Sequence, residues 1–130
     1  MTRPVSAHLV LLAVVLTVAG CGPKPPALYP VSGTVTLDGQ PLSEGTVYFK
    51  TVETGTVDSA PVKLGKFEGK AIEGKRRVEV AAYRMIPVPG QMGGEVPQSM
   101  IARRYNTEST LTAEVTAAGP NTYEFKVQSE

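Results

Sequence analysis

From residue 31 onward the chain consists of short runs in which apolar and polar side chains alternate, with Gly, Pro or Asp-Gly signals between them. Alternation of period two puts every second side chain on one face of a strand, and that face is buried only when strands pair into a sheet. Val31, Val35 and Leu37 share one face of the first run, and Ser32, Thr34 and Thr36 the other. Asp38-Gly39 marks a tight turn because glycine tolerates positive φ. Further strands are expected over residues 45–50, 61–64, 66–71, 76–84, 111–115 and 123–127, with a hairpin around Gly65. In the run from Arg76 to Arg84, Val78, Val80 and Ala82 point inward, while Arg77 and Glu79 point outward. Residues 51–60 read as a polar loop and residues 85–99, with three prolines and three glycines, as an irregular one. No helical period is present. The fold class expected is all-β, a single antiparallel seven-stranded β-sandwich.

The first thirty residues are of a different kind. A head with one basic side chain (Met1-Thr2-Arg3-Pro4) precedes the apolar run Leu9 to Val18, and small residues follow. That order is the order of a secretory signal peptide, and the run falls short of the roughly 20 apolar residues a spanning helix needs. The four residues Val18-Ala19-Gly20-Cys21 resemble the bacterial lipobox: an aliphatic residue, two small ones, then cysteine. The resemblance implies cleavage between Gly20 and Cys21 and acylation of Cys21, which becomes the lipidated N-terminus. Each buried CH₂ contributes about 0.8 kcal/mol, and stable anchoring takes more than one chain, so two or three acyl chains on Cys21 would hold the protein at a membrane. Gly22 to Pro30 holds four prolines and reads as a semi-rigid spacer. The domain layout expected is therefore a signal peptide over 1–20, a spacer over 21–30 and one domain over 31–130.

Composition narrows the chemistry. Arg3 and His8 lie within the expected signal peptide, so 13 basic side chains become 12, against 12 acidic ones, and no histidine is left. A balanced chain has no electrostatic footprint for nucleic acid. Without an imidazole or a spare thiol, the chain cannot assemble a Ser-His-Asp triad, a Cys-His pair or a His/Cys zinc site. No phosphate-cradling glycine motif follows a strand, and no cofactor is implied.

The stretch VSGTVTLDGQPLSEGTVYF, residues 31–49, resembles the opening of carboxypeptidase regulatory-like domains. Those domains share the transthyretin-like (prealbumin-like) sandwich fold, with an apolar-x-Gly-x-Val first strand and a xGxP turn. Weaker echoes follow at Gly65-Lys66-Phe67 and over residues 73–80, where Glu73 and Arg77 replace the family's usual proline and aromatic. The whole layout is similar to small lipoproteins abundant in planctomycete genomes. The resemblance implies fold, and no peptidase activity, because the family's catalytic domain has no counterpart in this sequence.

Several side-chain clusters are candidates for function. Tyr105, Arg103 and Arg104 are the expected ligand contacts, an aromatic and two cations that would suit a glycan or another anionic partner. Tyr83 is a further aromatic able to stack on sugar rings, while Tyr123 shares a face with Phe125 and Val127 and is expected in the core. The basic run Lys75-Arg76-Arg77 reads as a solvated strand edge. The acidic pairs Asp38/Glu44 and Glu53/Asp58 lie in expected turns, with nothing in their spacing that suggests a glycosidase. Together these features point to an exported, non-catalytic module held at the cell envelope by acyl chains, contacting an envelope protein or polysaccharide. The rival readings are a carboxylate-based hydrolase of envelope glycans and an accessory subunit of a periplasmic complex. Inner and outer membrane are both open, since Gly22 and not Asp follows Cys21.

Overall fold

The structure, a computed structural model, describes residues 20–130, so the expected signal peptide lies outside the described residues except for Gly20. The described chain is all-β apart from one 3₁₀ turn, Arg103–Tyr105. In chain order the strands are β1 (Leu28–Leu37), β2 (Gln40–Pro41), β3 (Glu44–Lys50), β4 (Val57–Lys63) and β5 (Lys66–Ile72). They are followed by β6 (Gly74–Ala81), β7 (Tyr83–Pro87), β8 (Glu95–Ser99), β9 (Thr112–Val115) and β10 (Thr122–Val127). Seven strands form one continuous path, β10-β1-β5-β4-β3-β6-β9, with the short β2 beside β1. Strands β7 and β8 pair only with each other.

The sheet curls on itself. Phe49 on β3, Phe67 on β5, and Tyr123 and Phe125 on β10 form a closed ring of four aromatic contacts, with centroids 5.9–6.2 Å apart. Side chains from strands well apart in the pairing order therefore meet face to face, and each such pair adds about 0.5–1.5 kcal/mol beyond its buried area. Val31, Val35, Val47, Val62, Val78, Val80, Val115 and Val127 fill the space around the ring. Gly33 is required for this packing: a Cβ at that position would run into the carbonyl oxygen of Tyr123 on the neighbouring strand.

The curl leaves a seam that other groups must close. Strands β4 and β5 share only two register pairs, Val62↔Phe67 and Lys63↔Lys66, next to their turn. Away from the turn the backbone groups need other partners, since unpaired buried ones are costly. Arg76, 1% exposed, sits at the open end of this pair and ties it to β3. Its guanidinium donates to the carbonyls of Phe49 (2.7 Å), Ile72 (3.0 Å) and Thr56 (3.4 Å), and to Asp58 Oδ2 at 2.8 Å. Asp58 Oδ2 also accepts the Ile72 amide at 3.0 Å. The Arg76 Nε is buried without a partner, so the clamp is not fully satisfied.

Several expectations are corrected. The basic run is not a solvated edge at Arg76, whose position on the inward face of β6 makes it a core residue. Glu79 points outward as expected, yet it is 5% exposed because Lys50 Nζ (2.6 Å) and Arg77 Nη2 (2.5 Å) close over it. Strand β1 begins at Leu28, three residues inside the expected spacer. Pro30 is tolerated there because it lies beyond the start of β10, where its carbonyl accepts from Asn121 and no N–H is required. Strand β4 begins at Val57, inside the expected loop; its inward residues there are Asp58 and Ala60, which carry little apolar signal. The pair β1–β10 is parallel, the one departure from the expected antiparallel pairing.

The expected irregular loop is a hairpin. Its flanking bonds run from Met100 N to the Ala82 carbonyl and from Val88 N to the Gly94 carbonyl. By alternation, residues 83, 85 and 87, with their partners 99, 97 and 95, turn their backbone groups outward. Pro87 and Pro97 both fall in that outward set, so the missing N–H groups do not break the ladder.

Two substitutions test this account of the packing. Arg76→Met is expected to lower the unfolding free energy by about 3 kcal/mol in urea titration, because it strands Asp58 and the seam carbonyls. Gly33→Ala is expected to destabilise by on the order of 3 kcal/mol, since backbone and not a flexible side chain stands in the way.

Candidate binding surface

Strand directions divide the body into two ends. The spacer enters at Leu28, and β1 rises through ten residues, about 30 Å, to Leu37. Strand β6 runs the same way, so the β7–β8 hairpin leaves the body at the end away from Cys21. Cys21 is an exposed free thiol on a segment without strand or helix. Among the described residues no helix is long and apolar enough to cross a membrane.

The expected ligand contacts gather at the far end, but largely engage one another. Arg104 lies over the Tyr105 ring at 4.9 Å from its centroid, and its Nη2 donates to Gln128 Oε1 at 2.6 Å. Arg103 pairs with Glu108 at 3.1 Å, both exposed. Tyr105 is half-buried and packs on the core, because the 3₁₀ turn folds it back over the end of β10. Its hydroxyl lies 3.4 Å from Gln128 Oε1, at the weak limit of a hydrogen bond. An exposed ion pair of the Arg103 kind contributes little.

Tyr123 lies where the sequence places it, packed against the core, with its hydroxyl donating to the Glu114 carbonyl at 2.6 Å. Burial raises its pKa, and the charge of Glu114 adds to the effect. The acidic pairs have separate fates. Asp58 is held by Arg76, Glu53 is exposed, and Glu44 sits opposite Lys63 in the ladder. Asp38 accepts from the Ser129 hydroxyl at 2.7 Å and from its amide at 3.0 Å, tying the chain's last residues to the β1 turn. Those two bonds hold its carboxyl below the ordinary aspartate range. Among the described residues no three metal-ligating side chains converge.

Two features of this end were not legible as sites. The hairpin is exposed on nearly every residue, with Tyr83 and Met85 on one face, Val96 on the other and Met92 at the tip. Beside its root, a groove of about 430 Å³ runs over the outward face of β3 and β4, between Tyr48 and Tyr83. Tyr83 alone was visible in the sequence as an aromatic of interest. Tyr48 gave no signal, because its relation to Tyr83 depends on the β3–β6 register. Compared with known proteins, the chain matches no family model, no curated protein and no solved structure.

The Asp38 contact makes a pH prediction. A depressed folded-state pKa contributes stability above the ordinary carboxylate range, about 3.9, and that contribution is lost as pH falls through the folded value. A carboxyl-carbon NMR titration is expected to show Asp38 titrating below that range, with the Ser129 amide losing exchange protection over the same interval. In Asp38→Ala the Ser129 amide is expected to be unprotected at every pH.

Proposed function

We propose that this protein is a lipid-anchored, non-catalytic module of the cell envelope whose body holds a contact surface away from the membrane. Cys21 carries the acyl chains, and Gly20–Cys21 is the cleavage site. The spacer of Gly22 to Ala27 adds at most about 20 Å in polyproline II form. The body is a carboxypeptidase regulatory-like module of the transthyretin-like type; the steric need for glycine within its Val-x-Gly-x-Val opening at Gly33 supports that reading. The partner is an envelope protein or polysaccharide.

The observation that carries the proposal is the opposition of the two ends. The attachment point precedes Leu28 at the start of β1, whereas the exposed hairpin and the groove at its root lie beyond the other end. A two-stranded hairpin on its own is marginally stable in water. One that leaves the body with both faces exposed is therefore suited to making contacts elsewhere.

Mass spectrometry of the native protein is expected to find an N-terminus at acylated Cys21, and Cys21→Ala is expected to move the chain from membrane to soluble fractions. A native N-terminus upstream of Cys21 would overturn the anchor. A photo-crosslinker at Met92 is expected to capture envelope material that one at Glu53, near the tethered end, does not. Equal capture from both positions would overturn the orientation.

A further inference from the structure

We propose that the outer edge of strand β7 is a docking site for an extended segment of a partner polypeptide, which adds to the hairpin as a third strand. The assignment rests on the tethered-module reading and states how that surface engages a protein partner. The Met100 amide donates to the Ala82 carbonyl and the Val88 amide to the Gly94 carbonyl, so even-numbered residues of β7 turn toward β8 and odd-numbered ones away. Tyr83, Met85 and Pro87 therefore present their backbone groups outward. Among the described residues, β7 pairs with no strand other than β8.

The same phase fixes what lies beside that edge. On β6 the even positions face the β9 side, where the Val78 amide donates to the Leu111 carbonyl and the Val80 carbonyl accepts from Asn106. The odd positions Arg77, Glu79 and Ala81 pair with β3. The open edge of β7 thus continues the edge that β3 occupies nearer Leu28. By the same count Glu44 falls opposite Tyr83, and the chain before it turns away from the hairpin. The Leu42 amide donates to the Val35 carbonyl at 3.0 Å, and the Leu64 amide to the Ser43 carbonyl at 2.9 Å. The lane beside Met85 and Pro87 is left open, in line with β3.

The backbone specifies the occupant. Met85 offers an N–H and a carbonyl, and Pro87 a carbonyl two residues on, at the roughly 7 Å repeat that a second extended backbone matches. The side chains agree. Tyr83 and Met85, 61% and 55% exposed, lie with Pro87 and Pro97 on one face, which runs on into the groove over Ala81 and Pro61. Alternate apolar side chains of the incoming segment rest on that face, and the groove receives its end where Glu44 stops the lane. Other edges are closed to this use. Pro97 takes the donor from the middle of the outward set of β8, and Glu95 adds a charge beside it. On β10 the outward residues Glu124 and Lys126 carry exposed charges, which oppose edge pairing. A second copy of the chain does not fit. Antiparallel pairing of two β7 strands through Met85 carries the tip of the second hairpin, residues 88–94, past Tyr83 and into Glu44.

The test uses the full lipidated chain in detergent micelles, panned with a display library of random nonapeptides held between flexible linkers. Peptides with apolar residues at alternate positions are expected to be enriched on the parent and not on Met85→Pro, which removes the outward donor. That proline joins the outward set of Pro87 and Pro97, so the Arg84 and Ile86 amides are expected to stay protected from exchange, showing the hairpin intact. With a selected peptide bound, the Met85 amide is expected to exchange at least about ten-fold more slowly, while the Glu95 and Ser99 amides are unchanged. N-methylation of alternate peptide amides is expected to abolish binding in one phase and spare it in the other. Failure of any peptide to enrich, equal enrichment on Met85→Pro, or protection at Glu95 and Ser99 in place of Met85 would overturn the assignment. So would a dimer of the parent that Met85→Pro dissolves. If Met92 still crosslinked to an envelope partner in that case, the tethered-module reading would stand without strand addition.

Discussion

The body depends on the closure of the seam where β4 and β5 part. The sheet bends far enough to face itself, and β4 and β5 keep only two register pairs, next to their turn. Arg76 and Asp58 tie the other end of that pair, joining β3, β4 and the β5–β6 turn through one buried guanidinium. Arginine suits this position because its planar fork can serve several acceptors at once. The aromatic ring of Phe49, Phe67, Tyr123 and Phe125 can then close across the interior, because the limbs carrying it are held at contact distance.

The same economy of edges governs the rest of the body. The outer side of β6 is paired with β9 over only four residues, Gly74 to Arg77. Beyond them, Leu111 accepts the Val78 amide, Ser109 donates to the Val78 carbonyl and Asn106 to the Val80 carbonyl. Asn121 likewise fastens the turn between β9 and β10, bonding Thr116 and the Pro30 carbonyl. Short polar side chains thus finish the sheet where strands stop, and this protects edges that would otherwise invite pairing. The outward face of β3 and β4, free of such duties near the hairpin, is where the groove forms.

Much of the fold was legible because period-two alternation is a local property. Val31, Val35, Val47, Phe49, Phe67, Val78 and Val80 are all buried, and Asp38 and Gly39 both adopt positive φ at the turn after β1. The misreadings share a cause: each concerned a residue whose neighbours are distant in sequence. Arg76 reads as a surface charge until Asp58 and the carbonyl of Phe49 are placed beside it. Residues 85–99 read as a loop because their prolines oppose a strand, and only the pairing phase shows that Pro87 and Pro97 face outward. Of the expected contact residues, Arg103, Arg104 and Tyr105 do lie together, but they satisfy one another, Gln128 and Glu108 before any ligand.

By itself the sequence determined an all-β body, its main turns and most of its core, because these follow from composition and from spacing along the chain. Tertiary structure alone decided the curl of the sheet, the buried clamp at Arg76, the hairpin at the end of the body away from Leu28 and the placing of Tyr48 and Tyr83 along one groove. Those depend on which strands become neighbours and in what register. Register is set by the summed packing of many residues and is carried by no single stretch.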